Sequence, residues 1–377
     1  MKILILTGSL AQGGAERQIT ILARSMAELG HQVGIAVMYP GGAFESELAS
    51  SKVQVFPLNK RGRWDVAHFF LELQKLVTIF HPDILQTFLT VPNIIGSLLR
   101  PWLGRTRLVW GVRNSNMDLS HYDTLSRFCA KLEALMSRSC DLAIANSHAG
   151  VRAHIDRGVR PKRFEVVENG IDTERFKWRQ DQRTKIRTIW EIPETAKLCL
   201  AVGRIDPMKD HETLLQSMRR WPTDSLLAIV GSGAPSAMLK LRAAIKELGF
   251  ETRVRLVGSM GDVENAYSAA DALVLPSAFG EGFPNVVAEA MSCGLRVVAT
   301  DVGDVRRIVG GCGQTVPPRD PEALGRAIAD ALCEQARYDD PRARIVSNYS
   351  VPKMVELTLQ YYGELMSSKM PLDDALP

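Results

Sequence analysis

Short apolar runs alternate with amphipathic stretches along this chain, and the alternation starts again halfway. Lys2–Thr7, Val33–Met38, Val53–Pro57, Ile84–Gln86, Leu108–Val112, Leu142–Ala145 and Glu165–Val167 read as strands. Between the first two, Ile19, Leu22, Ala23, Met26 and Leu29 fall at helical spacing, which predicts a helix over 14–29 that Gly30 ends. A second series follows: Leu198–Val202, Leu226–Val230, Val254–Leu256, Ala272–Leu275 and Val297–Thr300, with Leu214–Met218 in a helix. Strands alternating with helices form a parallel sheet covered on both faces. A chain of 377 residues exceeds what one core usually fills. The expected fold class is therefore α/β, two doubly wound Rossmann-like domains facing a central cleft, over residues 1–175 and 187–354. The charged stretch Thr173–Lys185 is the expected linker, about 355–366 a last amphipathic helix, and 367–377 a disordered tail.

Composition excludes more than it selects. The opening apolar run is shorter than the 7–15 residues or so of a signal peptide, and no stretch approaches the roughly 20 of a membrane helix. That points to the cytoplasm. The six cysteines are scattered with no C-x-x-C, which fits a reducing compartment and argues against a cysteine zinc site. The first 175 residues carry 21 Lys+Arg against 16 Asp+Glu, and the rest 25 against 26. So weak a basic bias, with no recognised RNA or DNA module, speaks against nucleic-acid binding.

Three segments at strand ends carry chemistry. Gly13 and Gly14 lie in a turn between the first strand and helix, where glycine allows a ligand close to the backbone and the helix start offers N–H groups to an anion. The turn has no G-x-G-x-x-G, no acid ends the second strand, and no Lys-Ser/Thr follows the glycines; dinucleotide and P-loop readings both weaken. After Leu198–Val202 comes Gly203-Arg204, with Lys209 five residues on from Arg204. A guanidinium fork and an ammonium there suit a diphosphate, and fixed cations lower the barrier to its departure. The third segment, Gly280-Glu281-Gly282-Phe283-Pro284-Asn285 with Glu289 beyond it, places one glutamate before a probable helix starting near Pro284 and another inside it. Beside an anion, Glu281 needs a neutral contact such as sugar hydroxyls, while Glu289 suits a ribose diol. Each segment alone also fits a plain turn, a surface ion pair or a solvated helix face.

Taken in order, Gly13-Gly14, the Val167–Asp172 segment, Gly203-Arg204 with Lys209, the Asp271–Ser277 segment leading into the next loop, and the Glu-x7-Glu of Glu281 and Glu289 resemble the retaining glycosyltransferases of family 4 (group 1), as found in bacterial cell-surface polysaccharide and lipopolysaccharide assembly. The likeness spans about residues 1–360 and implies the GT-B fold. It implies that Arg204 and Lys209 bind the donor diphosphate and that Glu281 meets the donor sugar, with Gly282, Phe283, Pro284 and Asn285 nearby. Glu289 would hold the ribose, Gly258 would lie near the base, and Gly13, Gly14 and Gly203 would approach the donor. It further implies a nucleotide-diphosphate sugar as donor substrate, UDP in the broader family, with no cofactor and no metal. The last helix would cross back to the first domain. A histidine common in the family after the strand Leu108–Val112 is missing. Arg113, Asn114 and the more distant His121 are the residues there that could meet acceptor or base, and no nucleophile is assigned.

The expected acceptor is a saccharide or a polyprenyl-linked glycan. Two basic segments, 59–64 and 98–107, mix cations with Trp and Leu, a composition suited to peripheral contact with an anionic membrane. Two other readings stay open at this point: a non-catalytic sugar-nucleotide or glycan-binding subunit, and a sugar-nucleotide epimerase on the same fold. Fold alone does not separate them.

Overall fold

A computed structural model describes residues 1–11, 13–62, 65, 67–113, 124–333 and 338–367. They form two compact units, Met1–Gly170 together with the chain from Val351, and Ile171–Ser350.

The first unit is built on seven strands: β1 (Lys2–Thr7), β2 (Gln32–Val37), β3 (Gln54–Pro57), β4 (Ile84–Phe88), β5 (Arg107–Val112), β6 (Leu142–Ala145) and β7 (Phe164–Val166). They pair in the order β3-β2-β1-β4-β5-β6-β7, all parallel. The second unit has β8 (Leu198–Val202), β9 (Leu226–Val230), β10 (Val254–Gly258), β11 (Ala272–Leu275), β12 (Arg296–Thr300) and β13 (Gly313–Val316). Their order is β10-β9-β8-β11-β12-β13, again all parallel. Ile3–Leu6 and Ala272–Leu275 are buried along their whole length, as strands sandwiched between two helical layers must be. Strand order reverses between β1 and β4, and between β8 and β11. In such sheets the carboxyl ends flanking the reversal frame a crevice.

The same device locks both sheets. Asp141, buried before β6, accepts the Leu108 N–H of β5 and pairs with Arg100 at 2.8 Å and Lys162 at 3.1 Å. Asp271, before β11, accepts the Leu198 N–H of β8 and pairs with Arg183 at 2.9 Å and Arg187 at 2.8 Å. Each carboxylate holds two neighbouring strands in register while its charge is balanced.

Several strand ends shift by one or two residues from the sequence reading, and three larger features differ. The stretch expected as linker, Thr173–Lys185, belongs to the second unit: Phe176 within it and Ile171, Ile186, Trp190 and Ile192 on either side enter that unit's core. The last helix runs Val351–Ser367, starting at Ser350's neighbour with Pro352 in its first turn. Met354, Val355 and Tyr362 join the first unit's core beside helix Gly14–Glu28. Entry to that helix is tight: the Gln18 amide exchanges two 3.0 Å hydrogen bonds with Gly170, and a Cβ on Gly170 would lie 2.8 Å from the Val351 Cα. Strand β13 was not foreseen. Beyond Ser367 the tail lies outside the described residues. Among those residues no helix is long and apolar enough to cross a membrane.

Candidate active site

In the second unit, the loops leaving β8 and β11 flank the reversal of strand order, and each carries part of one charged cluster. Gly203 follows β8 at φ +155°; a Cβ there would sit 3.1 Å from the Lys209 Cε, so glycine lets the lysine stem lie along the backbone. Asp206 caps the short turn Pro207–Lys209 by accepting the Lys209 N–H at 3.2 Å. Asp210, left-handed at φ +40°, caps helix His211–Ser217 by accepting the Thr213 N–H at 3.2 Å. Two successive caps thus fix where the Lys209 side chain starts.

Lys209 Nζ lies 2.6 Å from Glu281 Oε1, and the Ser277 hydroxyl donates to the same oxygen at 2.6 Å. Lysine and glutamate side chains are only 12% and 8% exposed. The two loops are sewn together around this pair. The Ala278 N–H donates to the Met208 carbonyl at 2.8 Å, and the Thr300 hydroxyl donates to the Ser277 carbonyl at 2.6 Å. Gly303, at φ +66°, leaves room where a Cβ would fall 2.0 Å from the Glu281 carbonyl oxygen.

Arg204 behaves differently. Its side chain is 75% exposed and pairs with Asp206 at 3.1 Å. An exposed pair of this kind contributes little to stability, so an incoming anion can take the guanidinium at small cost. Arg204 and Lys209 share a loop, but in this structure they do not point at one acceptor. Arg204 lines a cavity of about 850 Å³ with Asp206, His211, Ser232 and Lys240, whereas Lys209 and Glu281 do not line it. His211 is buried and pushed down to about 4, burial being the largest cause.

Beyond Glu281 the backbone enters helix Asn285–Ser292, with Pro284 as its N-cap, one position earlier than the first-turn proline expected. Glu289 is buried in that helix and accepts the Tyr267 hydroxyl at 2.8 Å. Phe283 packs edge-on against Tyr349, ring centroids 5.5 Å apart, and the Gly282 carbonyl accepts the Asp304 N–H. Gly258 ends β10 at φ +84°, and its carbonyl accepts the Gly231 N–H at 2.8 Å. A Cβ on Gly231 would lie 1.8 Å from the Gly203 carbonyl oxygen. Sequence reasoning missed Gly231, Tyr267 and Gly303, and gave no role to Ser277 at the end of the Asp271–Ser277 segment. Gly231 left a trace in the Gly-Ser-Gly that follows β9.

In the first unit, Gly13 is the N-cap of helix Gly14–Glu28, where a Cβ would meet the Glu16 carboxylate at 2.1 Å. Arg113, just past β5, stacks on the Phe88 ring at 5.1 Å and donates to Asn169 Oδ1 at 2.8 Å. Burial holds its guanidinium down to about 10, and its Nε has no hydrogen-bond partner among the described residues. Asn114 and His121 lie outside the described residues. Among those residues no three His, Cys, Asp or Glu side chains are grouped to hold a metal ion.

Known proteins match both halves. Residues 12–175 match the family described as Glycosyltransferase Family 4, and residues 196–334 match Glycosyl transferases group 1. The chain is 27% identical over 308 residues to the N-acetylgalactosamine-N,N'-diacetylbacillosaminyl-diphospho-undecaprenol 4-alpha-N-acetylgalactosaminyltransferase of Campylobacter jejuni, covering 80% of each protein. It is 32% identical over 253 residues to a D-inositol 3-phosphate glycosyltransferase of Salinispora tropica, covering 60% of this chain and 52% of that one. The crystal structure of Anabaena HepE in complex with UDP superposes with a TM-score of 0.83 at 22% identity, over 97% of this chain and 100% of that one. That likeness establishes the fold, two parallel-sheet α/β domains of the GT-B type.

Proposed function

From a glycosyltransferase that joins a Family 4 domain to a group 1 domain, we propose a retaining enzyme that moves a sugar from a nucleotide-diphosphate donor, UDP-linked by preference, to a lipid-linked saccharide in cell-surface polysaccharide assembly. The observation that carries this reading is the Lys209–Glu281 pair at the crevice between β8 and β11, with Arg204 exposed on the same loop. The acceptor class follows the diphospho-undecaprenol named in the Campylobacter jejuni relative.

In this reading Lys209 and Arg204 neutralise the leaving diphosphate, the place where negative charge grows as the bond from the anomeric carbon to phosphate oxygen breaks. Lys209 already balances Glu281, so that carboxylate can accept hydrogen bonds from donor-sugar hydroxyls next to the phosphates without an uncompensated charge. Glu289 holds the ribose, oriented by Tyr267. The acceptor hydroxyl attacks from the face the diphosphate leaves. Its oxygen bonds the anomeric carbon and its proton passes to the departing phosphate oxygen, so the configuration is retained and no protein nucleophile is needed. Neither a cofactor nor a metal has a part in this scheme: Lys209, joined by Arg204 when the diphosphate draws it from its exposed pair with Asp206, supplies the positive charge that a divalent ion would otherwise bring.

The test is product analysis. The purified chain is incubated with UDP-, GDP- and ADP-sugars and a polyprenyl-diphosphate saccharide, with and without chelator. The reading expects one donor class to give an extended acceptor of unchanged anomeric configuration, undiminished by chelation. An inverted product, or turnover that chelation abolishes, contradicts the retaining, metal-free scheme. A donor epimerised without transfer replaces it altogether.

A further inference from the structure

Of the two basic segments singled out in the sequence, 98–107 is half taken up by structure: Leu99, Leu103, Thr106 and Arg107 are buried and Arg100 is bound to Asp141, while Leu98, Trp102 and Arg105 stay exposed. A second exposed surface lies beside it. Helix Thr124–Met136 turns Phe128, 60% exposed, and Leu135, 78% exposed, outward. Arg127 and Lys131 are exposed on the same helix, and Arg138 directly after it. Positions 127, 131, 135 and 138, and likewise 128, 131 and 135, are spaced three or four apart, which puts all five on a single stripe. Glu133, the one acid of the helix, is on the opposite side, buried and bonded to Thr90 and Asn93. The stripe therefore offers cations and large apolar groups side by side and no carboxylate. The adjoining helix Thr90–Leu98 packs against this one, and Leu98 and Trp102 at its end are also exposed.

Large exposed apolar groups are unfavourable in water unless something covers them. A helix with apolar side chains beside Lys and Arg is the form that lies in the plane of a lipid interface, the apolar groups entering the acyl boundary and the cations meeting anionic headgroups. Resting on the lipid-linked acceptor proposed above, we infer that the outer stripe of helix Thr124–Met136, centred on Phe128, Leu135 and Lys131, docks the chain on an anionic bilayer. The charge pattern selects this occupant: a second copy would bring the same cations face to face.

The experiment is flotation with phosphatidylcholine vesicles, with and without phosphatidylglycerol, at low and high salt. Two variants are compared with the parent: Phe128→Ser with Leu135→Ser, and Arg127→Gln with Lys131→Gln and Arg138→Gln. All five positions are exposed, so both variants should melt with the parent. The parent is expected to float only with anionic vesicles and to be released by salt. Each cation near such a surface contributes about a fivefold factor, so the charge variant should bind about a hundredfold more weakly; the apolar variant should also lose binding. No flotation at low salt, or binding that neither variant changes, overturns the inference. So does a parent dimer that the apolar variant splits while vesicle binding persists. Donor binding, read calorimetrically without vesicles, tests the enzymatic reading separately. If donor binds and vesicles do not, docking alone falls.

Discussion

Replacing Lys209 by Met keeps the aliphatic stem and removes the charge. The parent pair is short, 2.6 Å, and about nine-tenths buried, and among the described residues the other donor on that Glu281 oxygen is the Ser277 hydroxyl. Removing one member of a buried pair typically costs about 3–5 kcal/mol, because the remaining charge keeps its desolvation penalty. For a unit of this size about 1 kcal/mol moves Tm by about 2–4 °C, so even about 3 kcal/mol should lower the second unit's melting by about 6–12 °C. Adding Glu281→Gln to Lys209→Met removes the stranded charge. The double variant should recover to within about 1–2 kcal/mol of the parent, a coupling far above the additive limit. Urea denaturation of the four proteins, with calorimetric melting as a second readout, measures the cycle. A Lys209→Met variant melting within 2 °C of the parent, or single effects that simply add, would refute the buried-pair account (differences below about 0.5 kcal/mol count as additive). Nucleotide binding should be lost in both lysine variants, including the one that regains stability.

Three further outcomes follow from the geometry. Gly303→Ala puts a methyl 2.0 Å from the Glu281 carbonyl oxygen at φ +66°, so it should destabilise the second unit by about 1–3 kcal/mol and weaken donor binding, read by urea denaturation and titration. Glu289→Gln should weaken nucleoside-diphosphate affinity by roughly 10- to 100-fold, the loss expected for a hydrogen bond to a charged group; an unchanged Kd would remove Glu289 from the ribose. His211, folded near 4 and free near 6.5, binds fewer protons folded than unfolded between those values, so its stability contribution is intact above 6.5 and lost as pH falls towards 4. Between pH 7 and 5 the parent should lose about 2 kcal/mol that His211→Gln does not lose, measured by urea denaturation at both pH values.

The double series of strands was readable because β1 and β11, for instance, are buried on both faces and so are continuous apolar runs. Strand β13, Gly-Gln-Thr-Val at a sheet edge, has no such run and could not be read. The supposed linker misled for the opposite reason: charged residues dominate its composition, while Phe176 within it and Ile186 just beyond it carry the packing. At the site, Arg204, Lys209, Glu281 and Glu289 stood out as residue types at strand ends. The bond from Lys209 to Glu281 joins positions 72 residues apart, and no local spacing announces it. Tyr267 was invisible on the same ground, and the role of Ser277, though it ends the Asp271–Ser277 segment, was too, because the fold chooses both to orient a carboxylate. Arg204 looked like an equal partner of Lys209, and only its exposure shows that it has to be recruited.

The most direct test of the central claim, a nucleotide-diphosphate clamp in the second unit, is a calorimetric titration. UDP, GDP, ADP and NAD are titrated without metal into the parent and into Arg204→Ala, a variant at an exposed position that should leave folding untouched. The account predicts that one nucleoside diphosphate binds, that NAD does not, and that Arg204→Ala loses at least tenfold in affinity, about 1.4 kcal/mol. Binding of none of the diphosphates, or equal binding by the variant, would contradict it.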